Sequence, residues 1–196
     1  IRLSVRGLVE ITDEDGEDAD QRLSPLVFTR MTELTQPDEA LLELAHRHAG
    51  LPVDARLEAL SETILSAMPF TPGVTDVASN AAEAYRGEYG VCQDHTHVFL
   101  ACCRALGLPA RYVSGYLYSQ DSEHVASHAW AEVWQDGSWH TFDVTNQTRL
   151  PRHHLKLAVG LDYMDACPVR GVRFGGGIES LKAVAEVRQS SSSRCQ

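Results

Sequence analysis

The apolar period of this chain changes at Gly107-Leu108-Pro109, and that change constrains the fold more than any other feature. Upstream, apolar residues recur at helical spacing. Pro37 is a good first helical residue, and Leu41, Leu42, Leu44 and Ala45 form a stripe that runs to Gly50. A second helix is predicted over 53–68, with Leu57, Leu60, Ile64 and Leu65 on one face and Pro69 and Pro72 to end it. A short alanine-rich helix follows at 79–85, stopped by Gly87. A longer one starts at about Cys92, with Val98, Phe99, Cys102 and Leu106 at helical spacing, and Gly107 is its C-cap. Downstream, residues 110–118, 127–134 and 138–143 read as strands, and 155–159 and 182–187 could add two more. Asp136-Gly137 is a hairpin turn. Helices first and antiparallel strands after define an α+β fold, with the helix at Cys92 packed on an antiparallel sheet.

The chain has 196 residues, 43% hydrophobic and 22% charged, enough for one well-buried core. Net charge is −10 and the densest charge cluster, 13–20, is acidic, so no nucleic-acid partner is expected. That cluster opens a loop over 13–25. No apolar run approaches the roughly 18 residues that span a bilayer, so no membrane partner is expected either. Residues 1–10 lack the continuous apolar core of a signal peptide, although the chain also lacks a starting Met. The five cysteines are irregularly spaced with no CxxC pair, which suggests a reduced, cytoplasmic setting.

Three residues carry chemistry. Cys92, in Gly90-Val91-Cys92-Gln93-Asp94, stands where a helix begins. Free backbone N–H groups and the positive end of a helix dipole favour a thiolate at such a place and can serve an oxyanion hole. Gly90 allows a tight turn into the helix. His128 lies 36 residues on, inside a strand whose alternation puts Ala126, His128 and Trp130 on one face. Asp143 ends the next strand. In a hairpin centred on Asp136-Gly137, directly opposed residue numbers should sum to about 273. His128 would then face about Thr145, with Asp143 one diagonal step away. A thiol, an imidazole and a carboxylate in reach of one another make an activated sulfur nucleophile.

The other candidates read as structural. His95 and His97 are expected in packing or solvent contact, and Cys102 and Cys103 as small core residues. His46, His48, His124, His140, His153 and His154 show no ligand spacing. Cys92-Gln93-Asp94-His95 could be half of a zinc site, but no second pair matches it, so neither a metal nor a cofactor is expected. Gly175-Gly176-Gly177 is a loop without the following helix that a phosphate cradle needs. Asn146-Gln147-Thr148 matches a glycosylation sequon, read as accidental.

These motifs also resemble a family. Gly90-Val91-Cys92-Gln93-Asp94, Gly107-Leu108-Pro109-Ala110-Arg111-Tyr112-Val113-Ser114-Gly115-Tyr116, Ser127-His128-Ala129-Trp130 and Asp143-Val144-Thr145-Asn146 together look like a bacterial member of the transglutaminase-like superfamily, whose core is related to papain-like cysteine proteases. The match is good over about 70–171 and weaker over 1–34. The resemblance implies Cys92 as nucleophile, His128 as general base and acid, and Asp143 as the residue that orients His128. It departs from the family at Val144, where proline is common, and at Leu161, where arginine is. Residues 1–30 then read as the remnant of an N-terminal β-rich region, 31–189 as the catalytic core, and 190–196 as a disordered tail. Residues 1–11 alternate well enough for a strand, expected to dock on the core sheet or to mediate a homodimer. The implied function is cysteine-dependent acyl transfer on a peptide or protein amide, with water or an amine as acceptor. The alternative is an inactive scaffold of the same fold that binds peptides.

Overall fold

The computed structural model describes residues 4–11, 17–18, 23–118, 124–150, 152–168, 175–176 and 184–188. Helices α1 (Glu39–His46), α2 (Val53–Ala67), α3 (Ala81–Gly87) and α4 (Cys92–Ala105) come first. Asp38 caps α1 by accepting the Leu41 N–H at 3.0 Å, so the helix starts just after Pro37 rather than at it. Asn80 and Glu83 form a capping box on α3. That helix includes Gly87 and is closed by Glu88 in the left-handed region, φ 58°, which places its stop one residue later than the glycine suggests. Gly107, at φ 75°, ends α4 as expected, with the Leu108 N–H returning to the Cys103 carbonyl.

The strands are β1 (Glu17–Asp18), β2 (Ala110–Leu117), β3 (His124–Val125), β4 (Ser127–Gln135), β5 (Ser138–Phe142), β6 (His154–Gly160) and β7 (Ala185–Glu186). Five form one antiparallel sheet in the order β1-β5-β4-β2-β6, and β3 pairs separately with β7. Asp136 and Gly137 both have positive φ, the geometry that fits a two-residue hairpin to strand twist. Its register is the expected one: Ala131 faces Phe142, Glu132 faces Thr141 and Trp134 faces Trp139, each pair summing to 273. The predicted strand near the N-terminus is not found. Residues 4–11 form no helix or strand, and Val5, Leu8 and Val9 are exposed. Alternation alone does not make a strand where no partner edge satisfies the backbone. The predicted loop over 13–25 includes β1, paired to the edge of β5.

Helix α4 is the centre of the molecule. It packs against β2 and β4 and against α1, α2 and α3. Every residue from Asp94 to Arg104 is buried, so its four-residue apolar stripe understates its surroundings. Leu41, Leu57, Leu60, Ile64, Phe99 and Leu100 are all fully or nearly fully buried around it, each worth roughly 1.5–3 kcal/mol. The polar residues of α4 are buried with partners. Arg104 donates to the carbonyls of Phe28, Ala110 and Leu161 and to the Thr35 hydroxyl, at 2.6–3.1 Å. Burial lowers its guanidinium to about 10, offset in part by Cys103 and Asp162. The His97 ring accepts the Tyr163 N–H at 3.2 Å, and burial drops it to about 4, so it stays neutral.

Candidate active site

The half-buried Cys92 is the first residue of α4. The turn into the helix is fixed by Asp94, whose Oδ2 accepts the Val91 N–H at 2.8 Å and the Thr75 hydroxyl at 2.7 Å. Gly90 is needed for space rather than for an unusual φ: a Cβ there would come within 2.7 Å of the Asp94 Cβ. The first-turn N–H groups have no carbonyl one turn earlier, so the thiol sits at a donor-rich helix end.

His128 lies on β4, buried, with its ring stacked at 24° and 6.0 Å from Trp130. Its Nε2 is 2.7 Å from Asp143 Oδ2, which leaves Nδ1 as the nitrogen free to meet a thiol. Burial pushes the imidazole down. Hydrogen bonds to Asp143 and to the Cys92 thiol, with the charges of both, outweigh this and raise it to about 9. The structure thus brings together all three residues singled out in the sequence.

Asp143 is not part of the β4–β5 ladder. It forms an isolated bridge with Thr148 across a tight turn. That turn is tied down from outside: Gln147 Nε2 reaches the Ser61 carbonyl and hydroxyl on α2, and the Thr145 hydroxyl meets His95 Nδ1 on α4. His95, expected merely to pack, is a fully buried bridge whose Nε2 meets the Met68 carbonyl at 2.8 Å.

Two groups at this site escaped the sequence reading. His154, first residue of β6 and dismissed for want of ligand spacing, places Nε2 2.8 Å from the same Asp143 Oδ2. Asn146, read only as part of a motif and an accidental sequon, gives Nδ2 to that oxygen at 2.7 Å and its backbone N–H to Oδ1 at 3.1 Å. Burial would raise the Asp143 carboxyl, but donation by His128 and His154, the His128 charge and Asn146 hold it far below the usual carboxylate range. An ionised carboxylate only accepts, so both imidazoles present Nε2–H to it. No local sequence signal marks His154, because β6 reaches the site by pairing with β2. Asn146 could have been found from its three-residue spacing to Asp143, a distance at which an Asx side chain commonly meets the backbone.

The donor atoms of His128, Asp143 and His154 lie within 4.8 Å of one another and could hold a metal ion, a group the sequence reading did not weigh. As arranged, both rings are already in hydrogen-bond contact with the oxygen, and the Asn146 amide shares it. The geometry fits shared protons better than an ion, which would need the three to part. A cavity of about 370 Å³ adjoins His154 and Asn146, lined also by Tyr118, Leu150, Arg152 and His153.

The helix-end thiol, the paired imidazole and the buried carboxylate are set on an antiparallel sheet packed by helices, which defines an α+β protein. Residues 43–144 match the model of the transglutaminase-like superfamily, and the chain belongs to that superfamily. Members of this superfamily are generally enzymes, cysteine proteases and transglutaminases among them. The chain is 30% identical to an uncharacterised Mycobacterium leprae protein, over 94% of this chain and 73% of that one. An uncharacterised Mycobacterium tuberculosis protein is 34% identical over 59% of this chain and 41% of its own. The crystal structure of a Cytophaga hutchinsonii protein described as a "Putative Cysteine Protease" superposes with a TM-score of 0.64 at 29% identity. That match covers 76% of this chain and 50% of the Cytophaga one, so the chain spans half the length of that protein. No helix among the described residues is long and apolar enough to cross a membrane.

Proposed function

We propose that the protein catalyses acyl transfer on peptide or protein amides through a thioester on Cys92. The observation that carries this reading is the His128 ring, which is held to Asp143 through Nε2 and has its imidazole raised by Asp143 and by the Cys92 thiol. The thiolate of Cys92 adds to the amide carbonyl, with α4 first-turn N–H groups stabilising the oxyanion. His128, held as an imidazolium to about pH 9, gives its Nδ1 proton to the departing amine as the C–N bond breaks. The ring then takes a proton from the acceptor, water or a second amine, whose attack frees the thiol and releases acid or new amide. Asp143 keeps the ring oriented and its charge balanced throughout. The irregularly spaced cysteines, with no CxxC pair, support a reducing, cytoplasmic compartment.

A panel of peptides and amine donors, incubated with the wild type and with Cys92→Ala, tests this. Turnover by the wild type and none by a folded Cys92→Ala is the expected result. Equal turnover by both overturns the role of Cys92. Binding without turnover by the wild type identifies a peptide-binding scaffold instead.

A further inference from the structure

We infer that His154 is a positioning residue for the candidate nucleophile: its Nε2–H fixes the Asp143 oxygen on which the His128 ring is aimed. The inference rests on the acyl-transfer reading above. His154 and His128 donate to one and the same oxygen, at 2.8 and 2.7 Å. The carboxylate therefore cannot turn toward one ring without changing its bond to the other.

The surroundings show that this contact is specifically built. His154 is buried, and its Nδ1 has no hydrogen-bond partner among the described residues. An unsatisfied buried nitrogen is costly, and a phenyl ring would fill the same space without that cost. Among the described residues, the hydrogen bond that distinguishes this histidine from a phenylalanine is the one to Asp143. Trp130 meets the His154 ring edge-on at 4.7 Å and 72° and also stacks on His128, so one indole sets both imidazoles. The backbone is shaped to the same end. The β2–β6 register shifts between Ser114 and Gly115, and β6 lies so close there that a Cβ on Gly115 would press into the Leu155 carbonyl, beside His154. The carboxylate is thus clamped by a donor from β4, one from β6 and the Asn146 amide from the turn. Without the β6 donor it gains freedom to rotate, and the His128 Nδ1 loses its aim at the thiol.

The test uses His154→Phe, which keeps the ring, and His154→Gln, which keeps an N–H donor of similar reach. Three readouts apply: the rate of Cys92 alkylation by iodoacetamide, the split between kcat and KM, and the proton resonance of the His128 Nε2–H. Expected for His154→Phe are slowing of alkylation and of kcat on the order of tenfold, an unchanged KM and a shifted imidazole resonance. His154→Gln should recover most of the rate. A His154→Phe protein equal to wild type in alkylation and resonance overturns the inference. So does a folded His154→Gln protein as slow as His154→Phe, since an N–H donor at this position would then fail to restore the rate. A wild-type Cys92 that alkylates no faster than a free cysteine instead sinks the acyl-transfer reading. The resonance still decides whether His154 governs the His128–Asp143 contact.

Discussion

Gly115 lies directly opposite His128 on the β2–β4 ladder. It is also where β2 meets the irregular edge of β6, with Leu155 and Trp130 closing over it. Gly115→Ala places a methyl against the Leu155 carbonyl and within 2.8 Å of the Trp130 ring. Neither can yield without moving β6 or the indole. The substitution should cost about 1–3 kcal/mol, as overpacking does, and should lower activity through a displaced His154. Urea midpoints together with the alkylation rate of Cys92 read both effects.

Cys102 and Cys103 are fully buried, and burial pushes Cys102 up to about 12 and Cys103 well above its ordinary value. Both stay protonated at neutral pH and should resist iodoacetamide in the folded protein. Cys102→Ala and Cys103→Ala should each cost about 1–2 kcal/mol and leave turnover unchanged. Peptide mapping of the alkylated protein and denaturation of the variants check this. Loss of turnover in either folded variant would assign the chemistry to the wrong thiol.

Stability should depend on pH through His128. Its imidazole is raised from 6.5 to about 9, so its contribution is fully present below about 6.5 and is lost as pH climbs through about 9. Asp143 is shifted the other way: its contribution is present above its ordinary value of 3.8 and is lost as pH falls toward its lowered one. Compared with His128→Gln, the wild type should lose on the order of 3 kcal/mol between about pH 6 and pH 10. Urea denaturation at the two pH values measures it. A constant difference would show that the ring is not held as an imidazolium.

Arg104→Met removes the donors that satisfy the carbonyls of Phe28, Ala110 and Leu161. Stranding them in the interior should cost about 3 kcal/mol or more. Arg104→Lys should recover only part, because an ammonium cannot fan out to acceptors on this many segments. Thermal denaturation of the three proteins is the check.

The parts that were legible in the sequence are those set by local rules. Gly107 and Pro109 end α4, and Asp136-Gly137 fixes a hairpin register that brings the chain after β5 back toward β4, although the ladder stops at Ala131–Phe142 and the turn beyond it carries Asp143 to His128. The parts that were not legible depend on contacts distant in the chain. His154 reaches Asp143 only because β6 pairs with β2, across more than thirty intervening residues. The reason for Gly90 lies in the Asp94 side chain, not in its own dihedral angle. Residues 4–11 alternate like a strand, yet no strand edge among the described residues pairs with them and they form none.

The site is also assembled late. Cys92 comes from α4, its imidazole from β4, the carboxylate from the turn after β5, and the second ring on that carboxylate from β6. A ribosome that has made α4 has produced a thiol but none of the groups that act on it. The hydrogen-bonded set exists only once the chain has emerged past His154 and β6 has zipped onto β2. On the acyl-transfer reading, nascent and unfolded chains therefore carry Cys92 apart from the groups that would act on it, and the folding reaction itself serves as the safety catch.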